Sequence, residues 1–416
     1  MAGPLGHLVP SLTIASGRMI IVVGLSADGI LADPSAVAEA SVVIGSRRQL
    51  GLLPEPAGQQ RILLPSPLRP GLADLLNDLL AKHDDVVVLA SGDPLVSGIG
   101  TTLIEMYGAE RVSARPAVSS VALARARMGW PAESCAVVTV VGRDPSLVLR
   151  ELAPGRRILV LSSDEHTPGQ LAALATKAGY GQSRLTVLGN LGSSTEERTE
   201  GVAETWSGNA PRLNIVAVDA IGPPFGLRPT SSWVAGLPDD AFEHDGQLTK
   251  RDLRASALAR LAPVPGELLW DVGAGAGSVG IEWMRAHQSC RTIAVEASPE
   301  RAERISRNAA RLGVPGLSVI TGRAPGALSG LPFPDAIFIG GGATHPGVVE
   351  ACLEALRPGG RLVVHGVTLE TEMLLGRLHQ EYGGELTRIS VEQVDAIGTF
   401  RGWAPLRTVT QWAFTG

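Results

Sequence analysis

The sequence predicts an α/β protein of two domains, each built on an open sheet with crossover helices. Short β-branched or aliphatic runs alternate with amphipathic stretches along the chain, a pattern typical of parallel sheets covered by helices. The 416 residues exceed one typical domain, since a domain has roughly 100–200 residues. A proline-rich stretch at 221–237 divides the chain. We therefore expect one domain before that stretch and one after it.

The predicted strands are short runs bounded by Gly, Asp or Pro. In the first half they lie at 20–24, 42–45, 86–90, 137–141, 158–161, 185–188 and 213–218. In the second half they lie at 268–272, 292–296, 318–321, 336–339 and 361–365. Helices are predicted between them, at 71–83, 167–178 and 278–286 among others. This alternation predicts parallel sheets in both halves.

The stretch 221–237 is predicted to be a linker, because its three prolines fix φ and remove backbone donors. The predicted divisions are an extension at 1–18, a first domain at 19–220 and a second domain at 238–416. The extension has neither a basic start nor a small-residue cleavage site, so we do not expect a secretory signal.

Composition and charge argue against several classes of protein. The net charge of −5 is unlike the basic excess of nucleic-acid-binding proteins. We find no apolar run long enough to predict a membrane span. Cys135, Cys290 and Cys352 have neither zinc nor redox spacing. We therefore expect no metal site, no membrane or nucleic-acid partner, and reduced thiols in a cytoplasmic protein.

The clearest functional signal is the glycine-rich loop DVGAGAG at 271–277, between a predicted strand and a predicted helix. Such a loop presents backbone N–H groups to a ligand with no Cβ in the way. Asp271 could contact a ligand amino group or orient the loop. Glu296 ends the next strand, where a carboxylate can accept both hydroxyls of a ribose. The two acids and the later turn LRPGGR at 356–361 favour S-adenosylmethionine over a nicotinamide dinucleotide.

The second half resembles a known family more specifically. The motifs GLPDDAF at 236–242, LTKRDLR at 248–254, FIGGG at 338–342, VTLET at 367–371 and VTQW at 409–412 are similar to the carbon-15-methylating, decarboxylating module of precorrin methyltransferases. The resemblance implies a Rossmann-like class I methyltransferase domain that binds S-adenosylmethionine. The cofactor-binding residues that it implies are Thr249, Gly273, Ala274, Gly275, Ala276, Gly277, Glu296 and Ala324.

The first half carries a different signature, ASGDPLVSGIG at 90–100, directly after a predicted strand. A Gly-Asp-Pro turn makes a sharp exit from a strand and turns backbone groups into a cleft. With GSRRQL at 45–50 and PAVSSVALAR at 116–125, it resembles the tetrapyrrole methylase family, in particular the carbon-5-methylating module. The resemblance implies two α/β subdomains and a second S-adenosylmethionine site. The residues that it places there are Gly92, Asp93, Gly98, Ser119 and Ser120.

Together the resemblances imply two methylations of a reduced tetrapyrrole with loss of carbon dioxide, in cobalamin biosynthesis. A polycarboxylate substrate needs cations, and the candidates are Arg47, Arg48, Arg125, Arg143, Arg254 and Arg401. His365 and Glu370 are further candidates for positioning substrate in the second domain, because they follow a strand at the ligand-binding edge. Two alternatives stay open: methylation of another small molecule, or a fusion in which one half has lost activity and serves assembly. We expect a homo-oligomer.

Overall fold

The computed structural model of the chain describes residues 18–54, 58–83, 85–222 and 232–416. They form two compact units, which we describe separately. Unit 1 contains the described residues of Met1–Arg143, Gly155–Thr176 and Gly181–Ile221, and unit 2 contains those of Asp144–Pro154, Lys177–Tyr180 and Gly222–Gly416. The predicted extension and the predicted linker lie partly outside the described residues. The parts outside are residues 1–17 of the extension and residues 223–231 of the linker.

The first sheet of unit 1 is parallel throughout, as predicted. Its strands are β1 (Met19–Leu25), β2 (Val42–Gly45), β3 (Gln60–Leu63), β4 (Asp85–Ser91) and β5 (Val112–Arg115). Their spatial order is β3-β2-β4-β1-β5, which places β1 and β4 side by side in the middle. Strands β3 and β5 are absent from the prediction, because each has four residues of mixed polarity.

The second sheet of unit 1 corrects the prediction of parallel sheets in both halves. Its strands are β6 (Cys135–Thr139), β7 (Arg157–Leu161), β8 (Arg184–Gly189), β9 (Glu197–Val202) and β10 (Asn214–Asp219). Their order is β6-β7-β10-β8-β9, and β6 pairs with β7 in parallel while the other three pairings are antiparallel. The polar sequence of β9 hides it from a hydrophobicity pattern.

Helices cover these sheets with apolar stripes. They are α1 (Pro34–Glu39), α2 (Arg47–Gly51), α3 (Leu68–Lys82), α4 (Ile99–Tyr107), α5 (Ser120–Met128) and α6 (Thr167–Lys177). In α3, Leu72, Leu76, Leu79 and Leu80 recur at helical spacing and pack in the core of the first sheet. That helix begins three residues earlier than the predicted range of 71–83.

Unit 2 is built on one seven-stranded sheet. Its strands are β11 (Leu268–Val272), β12 (Arg291–Glu296), β13 (Ser318–Thr321), β14 (Ala336–Ile339), β15 (Arg361–Gly366), β16 (Glu385–Ile389) and β19 (Val409–Thr415). Strands β17 (Glu392–Ile397) and β18 (Phe400–Pro405) form a separate hairpin, which the sequence did not predict. The seven strands follow the order β13-β12-β11-β14-β15-β19-β16, and β19 is antiparallel to both neighbours.

The first helix of unit 2 precedes these strands in sequence, and the other four lie between them. These helices are α7 (Arg251–Leu261), α8 (Ser278–Ala286), α9 (Pro299–Arg311), α10 (Val348–Ala355) and α11 (Leu369–Tyr382). From β11 the chain builds outward through β12 and β13, and then returns to the other side of β11 with β14. This reversal opens a crevice at the carboxyl ends of β11 and β14, where open α/β sheets bind their ligands.

Candidate functional site

A cavity of about 730 Å³ lies at this crevice of unit 2. It is within the size range of small-molecule sites, roughly 300–1,000 Å³. The strand ends and the loops after them line it, including Gly273, Ala274, Gly275, Val295, Glu296, Gly322, Arg323, Ala324, Gly340, Gly341, Gly342 and His365. Lys250 and Thr249 line it from the segment before α7. The predicted contacts of Thr249, Ala324 and the first part of the glycine loop are therefore brought together.

The loop after β11 needs glycine at two positions for steric reasons. Gly273 has φ +67°, and a Cβ there would lie 2.6 Å from the carbonyl oxygen of Gly341. Gly275 has φ +59°, and its Cβ would lie 2.9 Å from the carbonyl oxygen of Gln247. Both obstacles are backbone atoms, which cannot rotate away as a side chain can. The loop can therefore approach a ligand closely only as long as these residues have no side chain.

Glu296 ends β12 with its carboxylate at the cavity wall, where the sequence predicts it. Its Oε2 accepts a hydrogen bond from the Gly275 N–H at 2.9 Å, and its Oε1 accepts one from the Ser298 N–H at 3.0 Å. The side chain is buried and lines the cavity. Two N–H donors fix the carboxylate, and an ionised carboxylate has lone pairs for further donors such as ribose hydroxyls.

Asp271 takes the second of its two predicted roles. It is 1% exposed and lies beneath the loop, and it is not among the described residues that line the cavity. Its Oδ2 accepts a hydrogen bond from the Gly280 N–H at 2.9 Å, which ties β11 to the first turn of α8. Burial raises the pKa of Asp271 to about 7, and the Gly280 N–H opposes this rise. This bond shows how Asp271 orients the loop, and its contact with a ligand stays a prediction.

The last two residues of the loop also differ from the prediction. Ala276 and Gly277 are not among the described residues lining the cavity. The carbonyl oxygen of Ala276 accepts a hydrogen bond from the Asn308 side chain at 3.0 Å, and Gly277 caps α8 with φ +74°. The chain enters α8 here, and both residues lie against α9, since a Cβ on Gly277 would meet Ile305 at 2.7 Å. Their contact with a cofactor stays a prediction.

Arg254 does not lie where a cation that contacts substrate is expected. The sequence makes it a candidate cation for substrate, but its side chain is fully buried in an ion pair with Glu282, with Nε 2.6 Å from Oε1. It also bonds to the carbonyl oxygens of Leu237 and Thr249 and stacks on the Phe242 ring at 4.8 Å. Because Thr249 lines the cavity, Arg254 holds the backbone of a lining residue while its own side chain is not among the described residues of the lining. It is a positioning residue.

The two other candidates in the second half have different positions. His365 is the penultimate residue of β15, lines the cavity and is 8% exposed, and the Phe338 ring lies edge-on to it at 5.0 Å between ring centroids. Glu370 is exposed in the first turn of α11 and is not among the described residues lining the cavity. His365 is therefore the candidate that the structure places at the cavity, and a substrate contact by Glu370 stays a prediction.

His365 is expected to make the stability of unit 2 depend on pH. Burial lowers the pKa of His365 to about 4, and the nearby Arg260 charge adds to this effect. An unfolded histidine has a pKa of about 6.5. The unfolded chain therefore takes up the proton first on acidification, and stability present above pH 6.5 is lost as the pH falls toward 4.

Between pH 7.5 and pH 4, the free energy of unfolding of wild type is expected to fall by about 3 kcal/mol more than that of a His365→Asn variant. Urea unfolding at several pH values measures it, on the transition that the substitution shifts. The same gap between the two proteins at all pH values would show that His365 is not buried in neutral form.

Several cationic side chains line this cavity, and the sequence did not predict them as ligand-binding residues. Lys250, Arg301, Arg323 and Arg407 line it together with the single carboxylate of Glu296. Arg301 is paired with Asp245 at 2.9 Å, whereas Arg323 and Arg407 form no ion pair with another described residue. Arg407 follows β18 in an unpredicted segment, so no sequence signal placed it here. The rim suits an anionic ligand.

Unit 1 has its own cavity, of about 290 Å³, at the carboxyl ends of β1 and β4. Gly92, Gly98 and Ser120, which the resemblance places at a cofactor site, line it, and the ends of β7, β8 and β10 close its other side. Gly24 at the end of β1 has no room for a side chain, since a Cβ would collide with the Gly92 carbonyl oxygen and the Ala117 nitrogen. This packing brings the Gly-Asp-Pro turn against the loop before α5.

Two residues that the sequence predicts at the cofactor site lie outside the lining of this cavity, and their contact with a cofactor stays a prediction. Asp93 and Ser119 are not among the described residues that line it. The Asp93 carboxylate accepts a hydrogen bond from the Leu95 N–H at 2.8 Å, and the Ser119 hydroxyl accepts one from the Ala122 N–H at 3.1 Å. Each side chain thus stabilises its own turn or helix start. The two side chains thus stabilise backbone segments that adjoin the cavity.

Among the six candidate arginines, Arg48 is the one that lines either cavity. Its Nη2 donates to the Ser91 hydroxyl at 2.8 Å, at the end of β4. It is also the one charged side chain among the described residues that line the unit 1 cavity, and burial lowers its pKa. Arg47, Arg125, Arg143 and Arg401 line neither cavity within the described chain.

Over the described residues, no cluster of three or more His, Cys, Asp or Glu side chains is arranged to hold a metal ion. In that same part of the chain, no helix is both long and apolar enough to span a bilayer.

Two family profiles match the chain. One, described as a precorrin methyltransferase domain, matches residues 240–416, and the other, tetrapyrrole (corrin/porphyrin) methylases, matches residues 34–206. A precorrin-6Y C(5,15)-methyltransferase [decarboxylating] from Sinorhizobium sp is 44% identical over 401 residues, covering 95% of this chain and 96% of the relative. The protein of the same name from Mycobacterium tuberculosis strain H37Rv is 42% identical and covers 95% of this chain and 100% of the relative.

One solved structure similar to this chain is the C-terminal domain of precorrin-6Y C5,15-methyltransferase from Rhodobacter capsulatus. It is 45% identical with a TM-score of 0.43, covering 44% of this chain and 100% of that chain. The cobalamin biosynthesis precorrin-6Y methylase from Archaeoglobus fulgidus is 26% identical with a TM-score of 0.40, covering 49% of this chain and 98% of that chain.

Proposed function

The chain belongs to the family of precorrin-6Y C(5,15)-methyltransferases (decarboxylating), and we propose that it methylates a precorrin at ring carbons 5 and 15 and decarboxylates the ring C acetate, in cobalamin biosynthesis. The observation that carries the proposal is 44% identity over 95% of the chain, spanning both units. Each unit also contributes a cavity at its strand ends.

Incubation with a precorrin substrate and S-adenosylmethionine, followed by mass spectrometry, tests this function. The product is expected to gain two methyl groups and lose one carbon dioxide. Gain of a single methyl group would favour a fusion with one inactive half. Methylation of other small molecules, but not of a precorrin, would overturn the proposed substrate.

Use of S-adenosylmethionine follows from the family, and one molecule per unit is our proposal. In unit 2 two features support a site for this cofactor. Gly273 has no Cβ that would force the loop to shift, and Glu296 lines the cavity with its carboxylate. In unit 1 the corresponding features are the Gly24–Gly92 contact and the lining residues Gly98 and Ser120. When bound, S-adenosylmethionine supplies an electrophilic methyl group.

The protein residues then bind, orient and shield. Backbone groups of the glycine loop and Glu296 hold one ligand against the sheet, while Arg323, Arg407 and Lys250 at the rim attract the carboxylates of the macrocycle. In unit 1, Arg48 serves as the anchor for carboxylates. Orientation of two bound reactants can lower a barrier by about 7–11 kcal/mol in favourable cases. Such catalysis needs no nucleophilic side chain, because the electron-rich macrocycle carbon is the nucleophile.

A Glu296→Gln variant is expected to bind S-adenosylhomocysteine in unit 2 about 10- to 100-fold more weakly, because a charged acceptor of ribose hydroxyls contributes about 1.5–3 kcal/mol. Titration calorimetry measures the change. Glu300→Gln is the matched control, since Glu300 is 79% exposed and pairs with Arg304 on α9. Equal affinity of the Glu296 variant and wild type would remove the ribose contact from the proposal.

We also propose that the chain forms a homo-oligomer. The hairpin of β17 and β18 exposes Val394, Ile397, Phe400 and Trp403 by 54–79%. Large exposed apolar patches favour association. Sedimentation velocity at micromolar concentration tests this proposal, and a purely monomeric chain would contradict it.

A further inference from the structure

We propose that Gln411, oriented by Arg260, holds His365 as a neutral imidazole whose proton is on Nδ1, so that an N–H donor faces the unit 2 cavity and positions the macrocycle. The inference rests on the proposed function for the identity of the ligand. It gives Gln411 and Arg260 a positioning role that the sequence analysis did not assign to them, and it fixes the direction of one hydrogen bond at the site.

The sheet places the pair side by side. His365 and Gln411 are direct register partners on the antiparallel strands β15 and β19. The His365 Nε2 lies 2.9 Å from the Gln411 side-chain amide, and Gln411 is 1% exposed. This contact joins a cavity-lining ring to a fully buried amide. The amide's orientation therefore decides which tautomer the ring adopts.

Arg260 on α7 decides that orientation. Its Nε and Nη1 lie 3.0 and 3.3 Å from one end of the Gln411 amide. Since a guanidinium only donates hydrogen bonds, that end must be the amide oxygen. The amide nitrogen then lies 2.9 Å from His365 Nε2 and 3.2 Å from the Ser256 hydroxyl, and donates to both. The opposite orientation would direct N–H groups against N–H groups.

Arg260 is itself held in place. Its Nε lies 3.0 Å from Glu385 Oε2 on β16, and its Nη1 donates to the Ser256 hydroxyl at 3.1 Å. The arginine therefore has an acidic partner and a partner on its own helix. Movement of the guanidinium would break these bonds as well as the bond to Gln411.

The tautomer follows from these contacts. Because the Gln411 N–H donates to Nε2, the ring nitrogen must accept there, and the single proton of a neutral imidazole lies on Nδ1. The low pKa of His365, caused mainly by burial, agrees with a neutral ring. Nδ1 makes no hydrogen bond to another described residue. It is therefore free to donate to a carboxylate or carbonyl oxygen of the macrocycle.

Nitrogen-15 NMR of the full chain with labelled histidine tests the tautomer directly. The His365 signal is assigned by its loss in a His365→Leu variant. Wild type is expected to show the Nδ1–H tautomer at neutral pH, and an Arg260→Met variant is expected to show a mixture of both tautomers. An Nε2–H tautomer or an imidazolium in wild type would overturn the proposal. Arg388→Gln, which removes an exposed ion pair with Glu372, should leave the spectrum unchanged.

The function of the donor is tested by the rate of carbon-15 methylation. His365→Leu is expected to lower it at least tenfold, the effect of one hydrogen bond to a charged group. His365→Asn, which can place an amide N–H near the Nδ1 position, is expected to retain more of the rate than His365→Leu. Equal rates for the leucine variant and wild type would overturn the role of the donor.

Binding of S-adenosylhomocysteine separates this proposal from the proposed function. All three variants of His365 and Arg260 are expected to bind it as wild type does, which also shows that they are folded. If wild type bound none, the methyltransferase function would fail, while the NMR result would still decide the tautomer.

Discussion

A Gly273→Ala variant is expected to lose cofactor binding in unit 2 and to keep it in unit 1. The added Cβ would lie 2.6 Å from the Gly341 carbonyl oxygen, and φ at this position is +67°. The loop must therefore shift, and a displacement of about 1 Å at a site can cost roughly 100-fold in function. Carbon-15 methylation and one of two calorimetric sites for S-adenosylhomocysteine are expected to disappear.

Gly24→Ala is the complementary variant, because its Cβ would collide with the backbone of Gly92 and Ala117 in unit 1. It is expected to remove carbon-5 methylation and leave the carbon-15 reaction. Gly316→Ala and Gly169→Ala serve as controls, since a Cβ at either position meets no atom within 4 Å. Loss of both activities in either test variant would contradict independent sites.

The largest effect on stability is expected from Arg254→Leu. Removal of one partner from a buried ion pair costs about 3–5 kcal/mol, because the other charge stays buried and uncompensated. Here Glu282 would lose Arg254 and keep two backbone donors, the N–H groups of Gly236 and Leu237 at 2.6 and 3.0 Å. Urea unfolding of unit 2 measures the loss.

A double variant sharpens this prediction. Arg254→Leu combined with Glu282→Leu is expected to be less destabilising than the sum of the single changes, since neither member of the buried pair is left without the other. Arg388→Leu removes an exposed ion pair and is expected to cost at most about 1 kcal/mol. A similarly small loss for Arg254→Leu would show that the buried pair does not fix the segment leading to Thr249.

Periodicity predicted most of the strands of both units, because they carry continuous apolar runs. The runs at 268–272, 318–321 and 336–339 match β11, β13 and β14 in full. Strand β9 and the hairpin of β17 and β18 escaped prediction, since polar or exposed residues dominate them. Strand direction in the second sheet of unit 1 depends on connections that local sequence does not encode.

The candidate site was predictable where backbone geometry decides it. Gly273 and Gly275 lie so close to other backbone atoms that a Cβ would not fit, and the motif itself records this requirement. Side chains were less predictable, because a charge in a motif serves structure as often as ligand binding. Arg254 is buried in an ion pair with Glu282, whereas Arg407 reaches the cavity from a segment with no motif. Tertiary packing alone separates these cases.

The central claim is that one chain holds two separate sites for the same cofactor, one in each unit. Titration calorimetry of wild type with S-adenosylhomocysteine tests it most directly. We expect a stoichiometry of two per chain, falling to one in either Gly24→Ala or Gly273→Ala. A stoichiometry of one in wild type would contradict the claim, and no binding at all would remove the methyltransferase function with it.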